Sequence, residues 1–283
     1  MARNKGNGLI STILTAVVAS GVTIFASDYI KQHSSSSAAL DEKKVEEIVS
    51  KFLADNPKAI IEALQNWQIT EQANRVKKQQ EAVQSLSDTF KKSTEFPIAG
   101  KADGDATVVE FYDYNCPACK AMFETLDTLV KEDKNVRVVF VEFPIFGPQS
   151  DVNAKIALAV YALAPEKFYE WHSGMMRFKG KADEAYAMNV AKNLGISPEA
   201  LKKEIAKPEY EEKLKKNREY AKQLDIRGTP AVIANGIMFN GVAPYEDLKA
   251  QIAFARGGKA PAAAAESPKE GEAAPAESAP AQE

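Results

Sequence analysis

The chain has 283 residues, 45% hydrophobic and 27% charged, enough apolar side chain for one good-sized core with appendages. Its formal net charge is only -3, and both signs are interspersed along most of its length. Phosphate binding needs concentrated Lys and Arg, so nucleic acid is excluded as a partner.

At the N-terminus, Arg3 and Lys5 precede an uncharged run over residues 6–27. A basic stretch followed by an apolar one is the pattern of an export signal. Two versions of it stand: a signal peptide cleaved near Val18 to Ser20, or a retained signal anchor, since the run is long enough to span a bilayer as a transmembrane helix. Under either, residues 1–30 are a targeting segment and the bulk of the chain faces outward. The expected localisation is periplasm-facing and membrane-associated, through an inner-membrane anchor or after export, with the outer membrane also open. Residues 31–40, rich in serine, form a polar linker, and His33 within it is solvated.

Residues 41–93 are expected to form an α-helical arm. Asp41 can cap its start, and Val45, Ile48, Val49, Phe52 and Leu53 recur at helical spacing. Asn56-Pro57 breaks the pattern and opens a second helix carrying Ile60, Ile61, Leu64 and Trp67. Further on, Ile69, Val76, Val83 and Phe90 recur at sevens, while the positions three later are Gln72, Gln79 and Leu86. That seam is polar for a coiled coil. The arm is either an oligomerisation stalk, giving a homo-oligomer, or a strap on its own catalytic domain.

The folded centre spans residues 95–256. "TVVEFYDY" reads as a buried strand, "CPACKAMFETLDTLVKED" as a helix and "VRVVFVEFPIF" as a second buried strand, an order that implies a parallel unit. Three or four helices follow over about residues 149–225. Two short apolar runs around Asn235-Gly236 then read as a hairpin, with a last helix from Pro244. The class is α/β: a small mixed sheet with an inserted helical domain, preceded by the arm. Residues 257–283 have no aliphatic side chain larger than alanine and no aromatic, so they are expected to be a disordered tail.

Cys116 and Cys119 are the only cysteines. Cys116 opens a helix directly after a strand, where unpaired N–H groups and the helix dipole favour a thiolate. Pro117 fits the first turn, and Cys119 lies one turn in, able to close a small ring. A structural staple is a weak account, because so short a loop removes little unfolded-state entropy. Zinc needs two more ligands, and His33 and His172 are poorly placed to supply them. No metal and no cofactor is therefore expected. C-x-x-C between strand and helix is the spacing of an exchanging dithiol. Glu110, six positions before Cys116 amid apolar residues, is either a proton relay for a buried thiol or a strand-edge carboxylate. Pro230 in "RGTPAVI" either begins a strand in the ordinary way or forms a cis bond that turns the Thr229 backbone toward an incoming chain.

"FYDYNCPACKAMF" together with "RGTPAVIANG" resembles the DsbA-like thiol-disulfide oxidoreductases, thioredoxin-fold proteins of the bacterial periplasm, over residues 95–256. The resemblance implies a thioredoxin-like fold and a protein-disulfide oxidoreductase. It makes Cys116 the nucleophile, Cys119 the resolving thiol, Glu110 the buried acid, and Thr229-Pro230 the substrate-binding cis-proline loop. The helical extension is similar to that of members with an N-terminal oligomerisation arm, including outer-membrane surface antigens of intracellular bacteria. Implied partners are cysteine-containing exported proteins and a membrane redox partner that recycles the enzyme. Two departures bear on direction: Ala118 replaces the histidine of strongly oxidising members, and Thr229 replaces valine. Isomerase or reductase activity with the same dithiol is thus an alternative, as is a surface scaffold with a thioredoxin-like body.

Overall fold

The computed structural model of the chain describes residues 42–259. The expected targeting segment, the polar linker with His33, the Asp41 cap and the tail from residue 260 on lie outside the described residues.

A first compact unit ends at Lys78 and a second begins at Gln79. In the first, α1 (Glu42–Asp55) stops where the Asn56 backbone N–H and side-chain amide both donate to the Phe52 carbonyl at 2.9 Å. Pro57, which needs no N–H donor in a first turn, opens α2 (Pro57–Lys92). Val45, Ile48, Val49, Leu53, Ile60, Ile61, Leu64, Trp67 and Ile69 of these helices are exposed.

With 36 residues α2 is long enough to cross a bilayer, but Lys58, Glu62, Glu71, Arg75, Lys77 and Lys78 interrupt it with charge. Among the described residues no helix is both long and apolar enough to span a membrane. The expected transmembrane helix and the membrane-associated localisation built on it are therefore corrected. The stretch that prompted them, residues 6–27, lies outside the described residues.

The second unit is built on a five-stranded sheet in the order β1-β3-β2-β4-β5: β1 (Ile98–Gly100), β2 (Ala106–Tyr112), β3 (Val136–Glu142), β4 (Ala231–Ala234) and β5 (Ile237–Asn240). β2 and β3 run parallel, joined by α3 (Pro117–Glu132), and the other pairs are antiparallel. Asn235 and Gly236 both have positive φ, 49° and 81°, as the two-residue turn between β4 and β5 requires. Glu110 sits opposite Phe140, and Tyr112 opposite Glu142.

The alternation of a strand sends β2 into two cores. Val108 and Tyr112 pack with Phe140 against Met122, Phe123 and Leu126 of α3. Val109 and Phe111 face the other way, where Val83, Leu86 and Phe90 of α2 join Tyr220 and Leu224. Phe90 alone meets Phe96, Phe111 and Tyr220 at centroid distances of 5.5, 5.8 and 5.6 Å.

Between β3 and β4 lie α4 (Pro148–Leu163), α5 (Phe168–Arg177), α6 (Glu184–Asn193), α7 (Pro198–Ile205) and α8 (Glu209–Gln223). These are five helices where three or four were expected. Pro165 and Pro208 lack the N–H that would continue a helix and divide the polar and apolar runs further. α9 (Tyr245–Ala255) closes the unit, with Leu248 and Ile252 buried.

Candidate active site

β2 ends at Tyr112, and the turn that follows is fixed by its own side chains. The Asp113 carboxylate, 1% exposed, accepts the backbone N–H of Asn115 at 2.8 Å and the Ser150 hydroxyl at 2.8 Å. Its other oxygen accepts the N–H groups of Ile145 and Phe146 at 2.8 and 3.0 Å. Asn115 and Lys120, which bracket the two cysteines, both grip the loop between α5 and α6. Asn115 Oδ1 accepts the Ala182 N–H at 2.8 Å, and Lys120 Nζ donates to the carbonyls of Phe178 and Gly180 at 2.6 and 2.5 Å.

This frame holds Cys116 as the cap residue of α3, where its sulfur accepts the Cys119 N–H at 3.4 Å. Both cysteines are free thiols. The Thr229-Pro230 peptide bond is cis, and the Cys116 thiol donates to the Thr229 carbonyl at 3.2 Å. A hydrogen bond from Cys119 and the N–H groups of the first turn, working against burial, bring the Cys116 thiol down to about 6. Cys119 has no exposed surface, and burial pushes its thiol far up. The pair is thus divided into a sulfur that ionises at neutral pH and one that keeps its proton.

Glu110 lies beneath them with no exposed surface and no hydrogen-bond partner for either carboxylate oxygen. Burial first, and then the charge of Cys116, raises it well above the usual carboxylate range. The structure therefore brings Cys116, Cys119, Glu110 and Thr229-Pro230 to one end of the sheet. Residue-by-residue reading passed over Asp113, Asn115 and Lys120, although all three stand in the quoted "YDYNCPACK". It also passed over a buried chain in which Tyr112 donates to Glu142, the Tyr112 and Tyr114 hydroxyls meet at 2.9 Å, and Tyr114 meets His172 Nδ1 at 2.9 Å. Among the described residues no group of three or more His, Cys, Asp or Glu is placed to hold a metal ion.

Residues 107–253 match the model of the DSBA-like thioredoxin domain. The chain belongs to that family. It is 26% identical over 166 residues to disulfide bond formation protein D of Bacillus subtilis, covering 55% of this chain and 75% of the relative. Among solved structures, it resembles a thioredoxin-like oxidoreductase from Silicibacter pomeroyi, with 32% identity, TM-score 0.57, and coverage of 61% of this chain and 98% of the other. It also resembles the thiol-disulfide exchange protein alpha-DsbA2 of Wolbachia pipientis, with 26% identity, TM-score 0.59, and coverage of 63% and 96%. The DSBA-like chain described here thus has a thioredoxin-like α/β core with extra helices and a helical arm before it, and it is a thiol-disulfide oxidoreductase.

Proposed function

We propose that Cys116 and Cys119 are the exchanging dithiol and that the enzyme acts on cysteines of exported proteins. One observation carries this: Cys116 Sγ lies at a helix N-terminus, 3.2 Å from the Thr229 carbonyl, with its thiol lowered to about 6, while Cys119 is sealed behind it.

In the oxidising direction a substrate thiolate attacks Cys116 Sγ of the Cys116-Cys119 disulfide. The S–S bond breaks, and Cys119 leaves and takes a proton from Glu110. A second substrate thiolate then attacks the substrate's own sulfur, forming the product disulfide and expelling Cys116 as a thiolate; two electrons have passed to the enzyme. In reverse, the Cys116 thiolate attacks a substrate disulfide, Glu110 takes the Cys119 proton, and Cys119 attacks Cys116 to expel the substrate thiol. Thr229 and Pro230 offer the backbone edge along which an extended substrate lies. A membrane redox partner resets the pair, and a second copy of the chain covers the exposed apolar residues of the arm at residues 41–93.

The value of about 6 favours one variant of this reading. In a strongly oxidising DsbA the nucleophile titrates near about 3.5, and Ala118 offers no imidazole to pull Cys116 that low. Isomerisation or reduction of wrong disulfides suits the milder thiolate. Equilibration with glutathione decides between them: a reduction potential near about -120 mV marks an oxidant, and about -180 mV or below marks an isomerase or reductase. A pair that does not exchange with glutathione at all would sink both. Cys119→Ser must also trap a mixed disulfide at Cys116.

A further inference from the structure

Glu110 is not the only carboxyl group buried beneath the dithiol. Glu142 is 1% exposed and stands opposite Tyr112 on the neighbouring parallel strand, two positions along from Phe140, the partner of Glu110. In-register neighbours share a face, so both carboxyl groups lie on the side of the sheet that α3 covers, and the charge of Glu110 is among the influences that raise Glu142. Burial raises both above the usual carboxylate range, and two carboxylates confined in one apolar core repel.

Their hydrogen bonding is unequal. Glu110 receives no donor. Glu142 receives the Tyr112 hydroxyl, backed by Tyr114, which in turn meets His172. Burial raises Glu142 above the usual carboxylate range, as do the charges of Asp113 and Glu110, and these hydroxyls pull it back, a relief that Glu110 lacks. Burial pushes His172 down to about 3, so the far end of the chain is a neutral imidazole. The groups facing the pair are Tyr112 on β2, Asp113 and Tyr114 on the turn, Cys116 and Cys119 at α3, and His172 on α5. From α8 comes only the uncharged Asn217, whose amide donates to the Glu142 carbonyl at 3.0 Å. Arg137 stands at the opposite end of β3, bonded to the carbonyls of Ala102 and Ser93. Among the described residues no Lys or Arg is seen bonded to either acid.

We infer that Glu142 is a positioning residue for thiol exchange: held by Tyr112 and Tyr114, it takes the negative charge of the pair, so that Glu110 keeps the proton that it trades with Cys119. A donor stabilises a carboxylate and an unpartnered apolar site stabilises the acid, so one environment is built for each form. The charge on Glu142 makes Glu110 a stronger base, which brings it nearer the working pH when Cys119 must lose its proton. This rests on the proposed role of Glu110 as proton relay.

The test is the reaction of the reduced full-length enzyme with the aromatic disulfide dithiobis-nitrobenzoate, followed by stopped flow across the pH range. The Cys116 thiolate attacks first and releases one nitrothiobenzoate. Cys119 then attacks Cys116 Sγ and releases a second, closing the enzyme disulfide. In Glu142→Gln the apparent pKa of the second phase should fall by about one pH unit, with the first phase unchanged as a control for folding. Tyr112→Phe, which takes the donor from Glu142, should move it in the same direction. In a Glu110→Gln background, where this titration is lost, neither substitution should change the second phase further. An unchanged midpoint in both single variants, with Glu110→Gln still abolishing the titration, overturns the inference and leaves the Glu110 relay standing. A second phase indifferent to Glu110→Gln overturns the relay itself, and this inference with it.

Discussion

Asn115 and Ala182, 67 residues apart in the chain, hold each other by two hydrogen bonds: the Ala182 N–H donates to Asn115 Oδ1 at 2.8 Å, and Asn115 Nδ2 donates to the Ala182 carbonyl at 3.4 Å. The residue before the nucleophile is thereby tied to the helical insertion. Asn115→Ala leaves the buried Ala182 N–H without an acceptor, so unfolding should become easier by about 1–3 kcal/mol. Urea titration checks this, and an unchanged midpoint would show that the loop does not depend on the clamp.

Selective alkylation should separate the two thiols. Cys116 should react with a rate that rises through a midpoint of about 6, while Cys119 stays unmodified until the chain unfolds. Equal labelling of both in the folded protein would refute the division of roles.

The same shift sets a pH dependence of stability. Cys116 is an acid whose folded pKa lies below its unfolded value of about 8.5. Its contribution to the reduced enzyme is therefore fully present above about 8.5 and lost as pH falls through about 6. Cys119 is shifted the opposite way, so it remains protonated in the fold and lowers stability above about 8.5. Reduced wild type should gain on Cys116→Ser between those limits; parallel urea midpoints across that window would count against it.

The end of α2 belongs to the second unit. Phe90 is 3% exposed and lies among three rings, so Phe90→Ala should cost about 3–5 kcal/mol. A chain beginning at residue 95 should be markedly less stable than one beginning at residue 79, as thermal melting would show.

The first unit leaves Ile61, Leu64 and Trp67 exposed at 55%, 53% and 60%. With a second copy as occupant, the full chain should sediment above its monomer mass, and Leu64→Glu with Trp67→Glu should return it to that mass. Sedimentation of the wild type as a monomer at micromolar concentration removes the proposal.

Much of the fold was legible because its signals are local. β2 and β3 are mostly apolar, rich in β-branched and aromatic residues, Asn235-Gly236 accepts positive φ, and two cysteines one turn apart after a strand leave few uses. What escaped was non-local or faint. β1 has three residues, too few for any periodicity. The α2 residues Val83, Leu86 and Phe90 read as one stripe with the arm, though what they cover is a distant sheet face. Glu142 and His172 look like isolated polar residues, because their partners Tyr112 and Tyr114 are supplied by β2 and the turn that follows it. Asp113 and Asn115 carry no motif of their own, and their meaning lies in the loops that they receive.

Cys116 meets Thr229 across 113 residues of chain, and the entire helical insertion lies between them. A chain that emerges N-terminus first therefore shows both sulfurs long before β4 and its preceding loop exist to frame them. In that interval they are ordinary thiols titrating near about 8.5, because so distant a contact forms only after the intervening loop has closed. A newborn copy is then chemically a client, an unfolded protein with two accessible cysteines, before it becomes a catalyst.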